Sequence, residues 1–482
     1  MEKIKNFLFK NTSTKQTVAK NTVWLFLGEI LGRILKLAVI VFATRVLGVA
    51  GWGTFSYALA FVSVFYVFGD IGINTFITKE MSRGGSDKYQ YLSASLALKL
   101  LLLFLSLVIS LIFIPHFGTV ILSVKIVLVL ALLNFSDSLR EFVLSVNRAL
   151  ERMEREAFIK IIINAATTVL GIALLMAHPT PLSLAIAYAV GSILGSVVSI
   201  WIISSEFKHV QWKFPAKMLR TILDFAWPFV AITIFSVVIA NVDTIMLGQI
   251  KSTTEVGLYA AAERIVQFLS IIPIFIGLST FPLMSKSEGD LVASARIFEK
   301  IMTTILAIGF PIAIGGLLLS QPLMATIFGP SYRAGGVVLG ILMLSVFADF
   351  PNLILSNVIF VKNLQKKFII ATAVGVVVNV LFNLYLIPRY GAVGAAISTG
   401  VCQFFIMAIN WQMLKRYFTF SVVPKLDNIV FASFVMAIIV FACNVSGVYF
   451  AITVVLAIAS YAGILYLLKE PALAELLSVI HS

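Results

Sequence analysis

An all-α integral membrane protein of fourteen transmembrane helices is what this sequence of 482 residues predicts, on three observations. Hydrophobic residues make up 60% of the chain, charged residues only 12%, and the mean hydropathy is +1.03. A water-soluble domain is about a quarter charged, so this composition belongs in lipid. Apolar windows long enough to cross the hydrocarbon, about 20 residues for a helix, recur along the whole chain. They are too continuous for the ten-residue alternation of a membrane β-barrel, and lipid admits only helices or closed barrels as spanning forms. Lysine and arginine, finally, collect in every second loop.

The windows occupy residues 21–47, 53–77, 91–114, 120–146, 157–177, 183–204, 219–247, 256–282, 296–320, 334–361, 367–388, 393–414, 427–446 and 448–468. With the amino-terminal tail inside, the cytoplasmic segments hold 25 of the 36 basic residues, whereas the opposite loops hold only Lys125, Lys251, Arg333 and Arg389. The positive-inside rule then predicts both termini in the cytoplasm and an even number of spans in the cell (cytoplasmic) membrane. The net charge of +14 is therefore a signal of topology; membrane lipids are expected as partners, and nucleic acid is not. The first apolar run follows a Lys-rich stretch and is longer than the core of a signal peptide, so residues 1–20 read as a basic tail. Cys402 and Cys443 fall inside spans, as small apolar side chains rather than a disulfide framework.

Much chemistry has no material here. The four histidines, His116, His178, His209 and His481, lie in loops or tails, which leaves no zinc site or histidine proton relay. The sequence contains no glycine-rich phosphate loop ending in Gly-Lys-Ser or Gly-Lys-Thr, and no soluble segment large enough for a nucleotide-binding domain. No enzyme and no cofactor are expected. A coupling Na⁺ or H⁺ is the one ion to consider.

The intramembrane charges reveal a repeat. They are Glu29, Arg33, Lys36 and Arg45 in the first span, Asp70 in the second, and Asp137, Arg140 and Glu141 in the fourth. The seventh holds Asp243, the eighth Glu263 and Arg264, and the tenth Asp349. A shift of six spans superposes one set on the other. Local matches agree: Thr44, Leu47 and Gly48 correspond to Thr244, Leu247 and Gly248, and Gly53, Phe55 and Ala58 to Gly257, Tyr259 and Ala262. Six is even, so the two repeats share one orientation, related by a pseudo-twofold axis along the membrane normal. The expected organisation is a tail (1–20), a first six-helix lobe (21–204), a cytoplasmic linker (205–218), a second lobe (219–414), and two accessory helices with a tail (415–482).

Charge at mid-bilayer costs roughly 2.5 to 3.5 kcal/mol per group, so these spans should turn their polar faces to a central cavity. At about 100° per residue, Glu29, Arg33 and Lys36 fall within an arc of roughly 60°, and Arg45 points elsewhere. Ser345, Asp349, Asn352 and Ser356 form another polar stripe. Local neutralisation stays open for Glu29 with Arg33 at i,i+4 and for Asp137 with Arg140 at i,i+3. Pro228, Pro273, Pro311 and Pro351 fall in the seventh to tenth spans, where each removes a backbone hydrogen bond and permits a bend or a static kink.

The stretches ATRVLGVAGWGTFSYALAF (43–61), FITKEMSR (76–83), FPLMSK (281–286) and above all NLYLIPRYGAVGAAISTG (383–400) resemble the polysaccharide-transporter flippases, the O-antigen and exopolysaccharide type within the multidrug/oligosaccharidyl-lipid/polysaccharide exporter superfamily. The resemblance covers essentially the whole chain. It implies a V-shaped fold of two lobes and translocation of a polyprenyl-pyrophosphate-linked oligosaccharide by alternating access, with a polysaccharide polymerase and glycosyltransferases as partners. Such a cargo would account for buried cations, since its diphosphate needs charged donors inside a low-dielectric site. Arg33 and Lys36, with Arg140 and Arg264, are the candidate substrate ligands. Asp70, Asp349, Glu29, Asp243 and Glu263 are the candidate coupling-ion residues. Because interior acids outnumber cations, a cation-coupled multidrug antiporter of the same superfamily is the alternative, and a scaffold for glycosyltransferases is a third reading. A twelve-helix facilitator is disfavoured, since KEMSRGGSDKYQ (79–90) lacks that family's Gly-Asp-Arg-Gly pattern.

Overall fold

A computed structural model describes residues 14–83, 85, 87–117, 123–207, 216–287, 289–362 and 364–472. Most of the basic tail and of the 205–218 linker lies outside these residues. The described chain is helical throughout and has no strand. Its elements are α1 (Thr14–Gly69), α2 (Ile73–Arg83), α3 (Lys88–Phe117), α4 (Val124–Ala149), α5 (Met153–Ala177), α6 (Pro181–Ile202), α7 (Ala216–Ile250), α8 (Thr253–Leu269), α9 (Ile271–Lys286), α10 (Leu291–Leu318), α11 (Ser320–Phe328), α12 (Gly336–Val361), α13 (Gln365–Lys415), α14 (Asp427–Val445) and α15 (Phe450–Leu467). Ten helical segments among the described residues are long and apolar enough to cross a membrane.

Two helices are far longer than a bilayer needs. At 56 residues, α1 would run about 84 Å if straight, against a hydrocarbon thickness of about 30 Å. It turns instead at Gly48, whose φ of 66° lies in the left-handed region that glycine enters without steric cost. The 51-residue α13 turns in the same way at Gly391, φ 56°. Each of these helices therefore carries two of the apolar windows. The second window also breaks at Asp70, between α1 and α2, and the eighth breaks at Ser270, between α8 and α9. Pro273 follows that second break within one turn, whereas Pro311 and Pro351 sit inside continuous helices.

The chain forms two compact units, residues 1–249 and 250–482. In the first, α1 and α5 pack in a parallel register: Lys20 meets Glu154, Glu29 meets Lys160, and the Leu35 carbonyl accepts from Thr168. The second window runs parallel to α4, with the Val62, Gly69 and Thr78 levels bonded to Asn134, Ser138 and Ser145. Inside lipid, helices associate through close packing of small residues rather than by expelling water. Accordingly, α6 buries Ala185, Ala187, Ala189, Gly191, Ser192, Gly195 and Ser196. Beneath this, α2 is amphipathic, and its Ile73, Phe76, Ile77 and Met81 pack with Phe142, Val146 and Ile222.

In the second unit, Glu255 and Tyr259 of α8 meet Ala392 and Thr399 of α13, again in parallel. α12 is held to the same helix by Asn352 and Gln403. α14 and α15 attach to α10, where the Tyr461 hydroxyl donates to the Ala307 carbonyl at 2.6 Å. The opposite side of α14 presents Phe431, Phe434, Ile438, Phe441 and Val445, all exposed. Its inward face buries Ile429, Ala432, Ser433, Met436 and Val440, so the large apolar side chains on the outward face are left for lipid.

Candidate functional site

The motif at 383–400 has a local explanation. Gly391 makes the turn, and the helix beyond it starts at Ala392, whose N–H donates to the Glu255 carboxylate at 2.7 Å. A carboxylate at a helix amino terminus satisfies an otherwise open donor and meets the positive end of the helix dipole. Lys251 closes the same corner by donating to the Pro388 carbonyl at 2.8 Å. These residues build the fold of the second unit.

Among the described residues the buried and half-buried charges concentrate in the first unit, where, besides the Lys20–Glu154 pair and the buried Asp243, they form three groups. The largest is a ladder of alternating sign across α1, α5 and α4. Arg33 Nε donates to Glu29 Oε1 at 2.8 Å, and Lys160 Nζ lies 3.5 Å from the other oxygen of Glu29. Lys160 also lies 3.3 Å from Glu156 Oε1. Arg148 holds Glu156 with two nitrogens at 2.7 and 2.8 Å and reaches Glu141 at 3.2 Å. Glu156 is only 1% exposed, while Arg33, Glu29, Lys160, Arg148 and Glu141 are between 24% and 35% exposed. The middle rung is thus fixed in the protein, and the other rungs reach its surface.

In the second group, Arg140 on α4 pairs with Asp137 one turn away and with Ser192 on α6, whose hydroxyl also donates to Asp137. The third group sits at the break in the second window. Asp70 receives the Asn74 side-chain amide and lies 3.8 Å from Lys99 Nζ on α3, a side chain with no exposed surface. Lys99 makes no hydrogen bond.

The second unit is more sparsely charged. The Ser345 hydroxyl donates to Asp349 Oδ2 at 2.7 Å, and the buried Asp349 Oδ1 accepts nothing. Asn352, one turn on, has a buried Oδ1 in the same condition, while its Nδ2 donates to the Gln403 backbone at 3.0 Å. Glu263 and Arg264 are joined through Gln267, which donates to Glu263 at 2.7 Å and accepts from Arg264 at 2.6 Å.

Among the residues singled out from the sequence, the structure therefore joins Glu29 with Arg33, Arg140 with Asp137, and Glu263 with Arg264. Lys36 is exposed on α1, and Asp243 is buried on α7 at 4% exposure. Glu29 serves two cations, Arg33 on its own helix and Lys160 on α5. Sequence reasoning left out Lys99, Arg148, Glu156 and Lys160 by placing them in loops or at the margins of spans. Their inclusion removes the excess of interior acids. One signal could have found part of the ladder: Glu156 and Lys160 repeat the i,i+4 spacing of Glu29 and Arg33.

Comparison with known proteins places this geometry. Residues 18–288, more than half of the chain, match the family described as Polysaccharide biosynthesis protein. A Haloferax volcanii protein named "Probable low-salt glycan biosynthesis flippase Agl15" is 22% identical over 402 residues, 83% of each chain. Among solved structures, the lipid II flippase MurJ in an inward closed conformation superposes with a TM-score of 0.76 at 18% identity, covering 91% of this chain and 97% of that one. An inward-facing multidrug resistance MATE family transporter of the MOP superfamily gives 0.68 at 14% identity, covering 80% and 94%. At these identities the structural matches establish the fold, shared by proteins whose names describe transport and not catalysis. The chain is a multi-pass membrane protein that belongs to the polysaccharide biosynthesis protein family.

Proposed function

We propose that this protein is a flippase that carries a polyprenyl-pyrophosphate-linked oligosaccharide across the cytoplasmic membrane by alternating access, for assembly of a surface polysaccharide. The observation that carries the reading is the ladder of the first unit, three cations alternating with three acids along α1, α5 and α4. Buried charge in lipid is expensive and marks a transport path by default. A neutral apolar cargo would need none of it, whereas a diphosphate joined to a lipid needs cations along its path. Membership of the family and the flippase relative support the same reading.

Fourteen crossings with both termini in the cytoplasm complete the proposal. The parallel pairings of first with fifth, second with fourth and eighth with twelfth windows are the directions that consecutive crossings would give. Lobes at 21–204 and 219–414, joined by the 205–218 linker, would move against each other. A polymerase and glycosyltransferases of the same assembly route would be its partners.

A second reading, the cation-coupled antiporter, has one observation in its favour: Asp349 Oδ1 and Asn352 Oδ1, one turn apart on α12, are both buried without a hydrogen bond. Both readings admit a coupling Na⁺ or H⁺. Reconstitution into liposomes decides between them. Translocation of a fluorescent lipid-diphosphate oligosaccharide is expected, with imposed ion gradients testing coupling. Gradient-driven efflux of an organic cation without lipid translocation would favour the antiporter.

A further inference from the structure

We infer that Lys160 and Arg148, held at a fixed spacing by the buried Glu156, form the diphosphate-receiving pair of this protein, and that Glu29 and Glu141 occupy the phosphate positions until the headgroup displaces them. The inference rests on the flippase reading and adds residues that neither the sequence motifs nor the relatives single out. It begins from asymmetry within the ladder. Glu156 receives two nitrogens of Arg148 and the Lys160 ammonium, and it has almost no surface. Breaking such a contact would leave an unpaired buried carboxylate, so Glu156 stays bound. Lys160 Nζ and Arg148 Nη2 share one oxygen of it, at 3.3 and 2.7 Å, and cannot lie further apart than those two contacts end to end. That is the scale on which the two phosphates of a diphosphate present their oxygens.

The outer acids differ. Glu29 and Glu141 are each 30% exposed, and each contact they make with this pair is longer, 3.5 Å to Lys160 and 3.2 Å to Arg148. Released from these contacts, either carboxylate can be hydrated, so the exchange costs little. A phosphate offers more charge and more acceptor oxygens than a carboxylate, and the Nη2 N–H that Arg148 gives to Glu141 is the donor it takes over, while Nε and the other Nη2 N–H stay on Glu156. Lys160 adds a point charge for the second phosphate. Because the cation pair is balanced by carboxylates when no headgroup is bound, the protein need not hold bare positive charge between its helices.

The test uses the full chain in lipid nanodiscs, with farnesyl diphosphate and farnesyl monophosphate as probes, alongside translocation in liposomes. The wild type is expected to prefer the diphosphate. Lys160→Met should weaken diphosphate binding at least tenfold and erase most of that preference, a ratio that a merely structural lysine would not change. Glu29→Gln, which removes a competing carboxylate, should tighten diphosphate binding several-fold. If both variants fold and bind as the wild type does, the inference is overturned while the flippase reading stands. If Lys160→Met does not fold, unchanged affinity in Glu29→Gln overturns it. A wild type that neither prefers the diphosphate nor translocates the lipid sinks both.

Discussion

Replacing Asp70 by Asn tests how the break between α1 and α2 is held. Lys99 Nζ is buried on α3, 3.8 Å from Asp70 Oδ1, and has no hydrogen bond, so Asp70 is the nearest compensation for its charge. At an effective dielectric constant of about 20, a pair at this distance attracts by about 4 kcal/mol. Removing the acid alone leaves the buried ammonium without its nearest counter-charge, and the cost expected for that is at most about 3 to 5 kcal/mol. Lys99→Met should cost less, about 1 to 3 kcal/mol, because Asp70 keeps the Asn74 amide and is 20% exposed. The double variant, an isosteric amide facing a thioether, should return to within about 1 kcal/mol of the wild type or exceed it, since replacing both buried ions is often neutral or stabilising. Unfolding of the four proteins by SDS titration in mixed micelles, followed by tryptophan fluorescence, gives the cycle. A coupling energy under about 1 kcal/mol would refute the pairing argument. Transport by a stable double variant separates stability from coupling: full gradient dependence would remove Asp70 from the coupling-ion candidates.

Cysteines replacing Lys251 or Arg389 should be labelled by an impermeant maleimide from outside intact cells, and those replacing Lys213 or Lys366 should not; inverted or mixed labelling would break the span order. Asp349→Asn should abolish any dependence of transport on an ion gradient while leaving the protein folded, and unchanged gradient dependence in proteoliposomes would make Asp349 structural. Gly391→Ala should lower stability by about 1 to 2 kcal/mol, from the left-handed backbone alone, and more if the added methyl, 2.5 Å from Glu255 Oε2, dislodges the cap; thermal unfolding equal to wild type would contradict the turn geometry. Arg45→Ala, at an exposed position, should complement polysaccharide export fully at equal membrane abundance, and a loss of export would give Arg45 a role that its position does not suggest.

The sequence by itself determined the helices. In lipid each backbone polar group must be satisfied within its own segment, so a long apolar window has few alternatives to helix. It also determined interactions that stay within one turn. Glu29 with Arg33 and Asp137 with Arg140 were legible from spacing, because helical geometry alone brings i,i+3 and i,i+4 side chains together. Asp349 was recognisable from its Ser345, Asn352 and Ser356 stripe for the same reason. Tertiary structure alone decided the partners across helices: Lys160 for Glu29, Ser192 for Arg140, and Lys99 for Asp70. Those pairs depend on which helices are neighbours and at what register, and hydropathy is blind to both. Lys99, Lys160 and Glu156 were also hidden by position, since a charge near the margin of a window looks like a residue that reaches water. Only the packing of α5 against α1 and α4 shows that Glu156 is sealed in, and that burial distinguishes a fixed anchor from the exchangeable acids on either side of it.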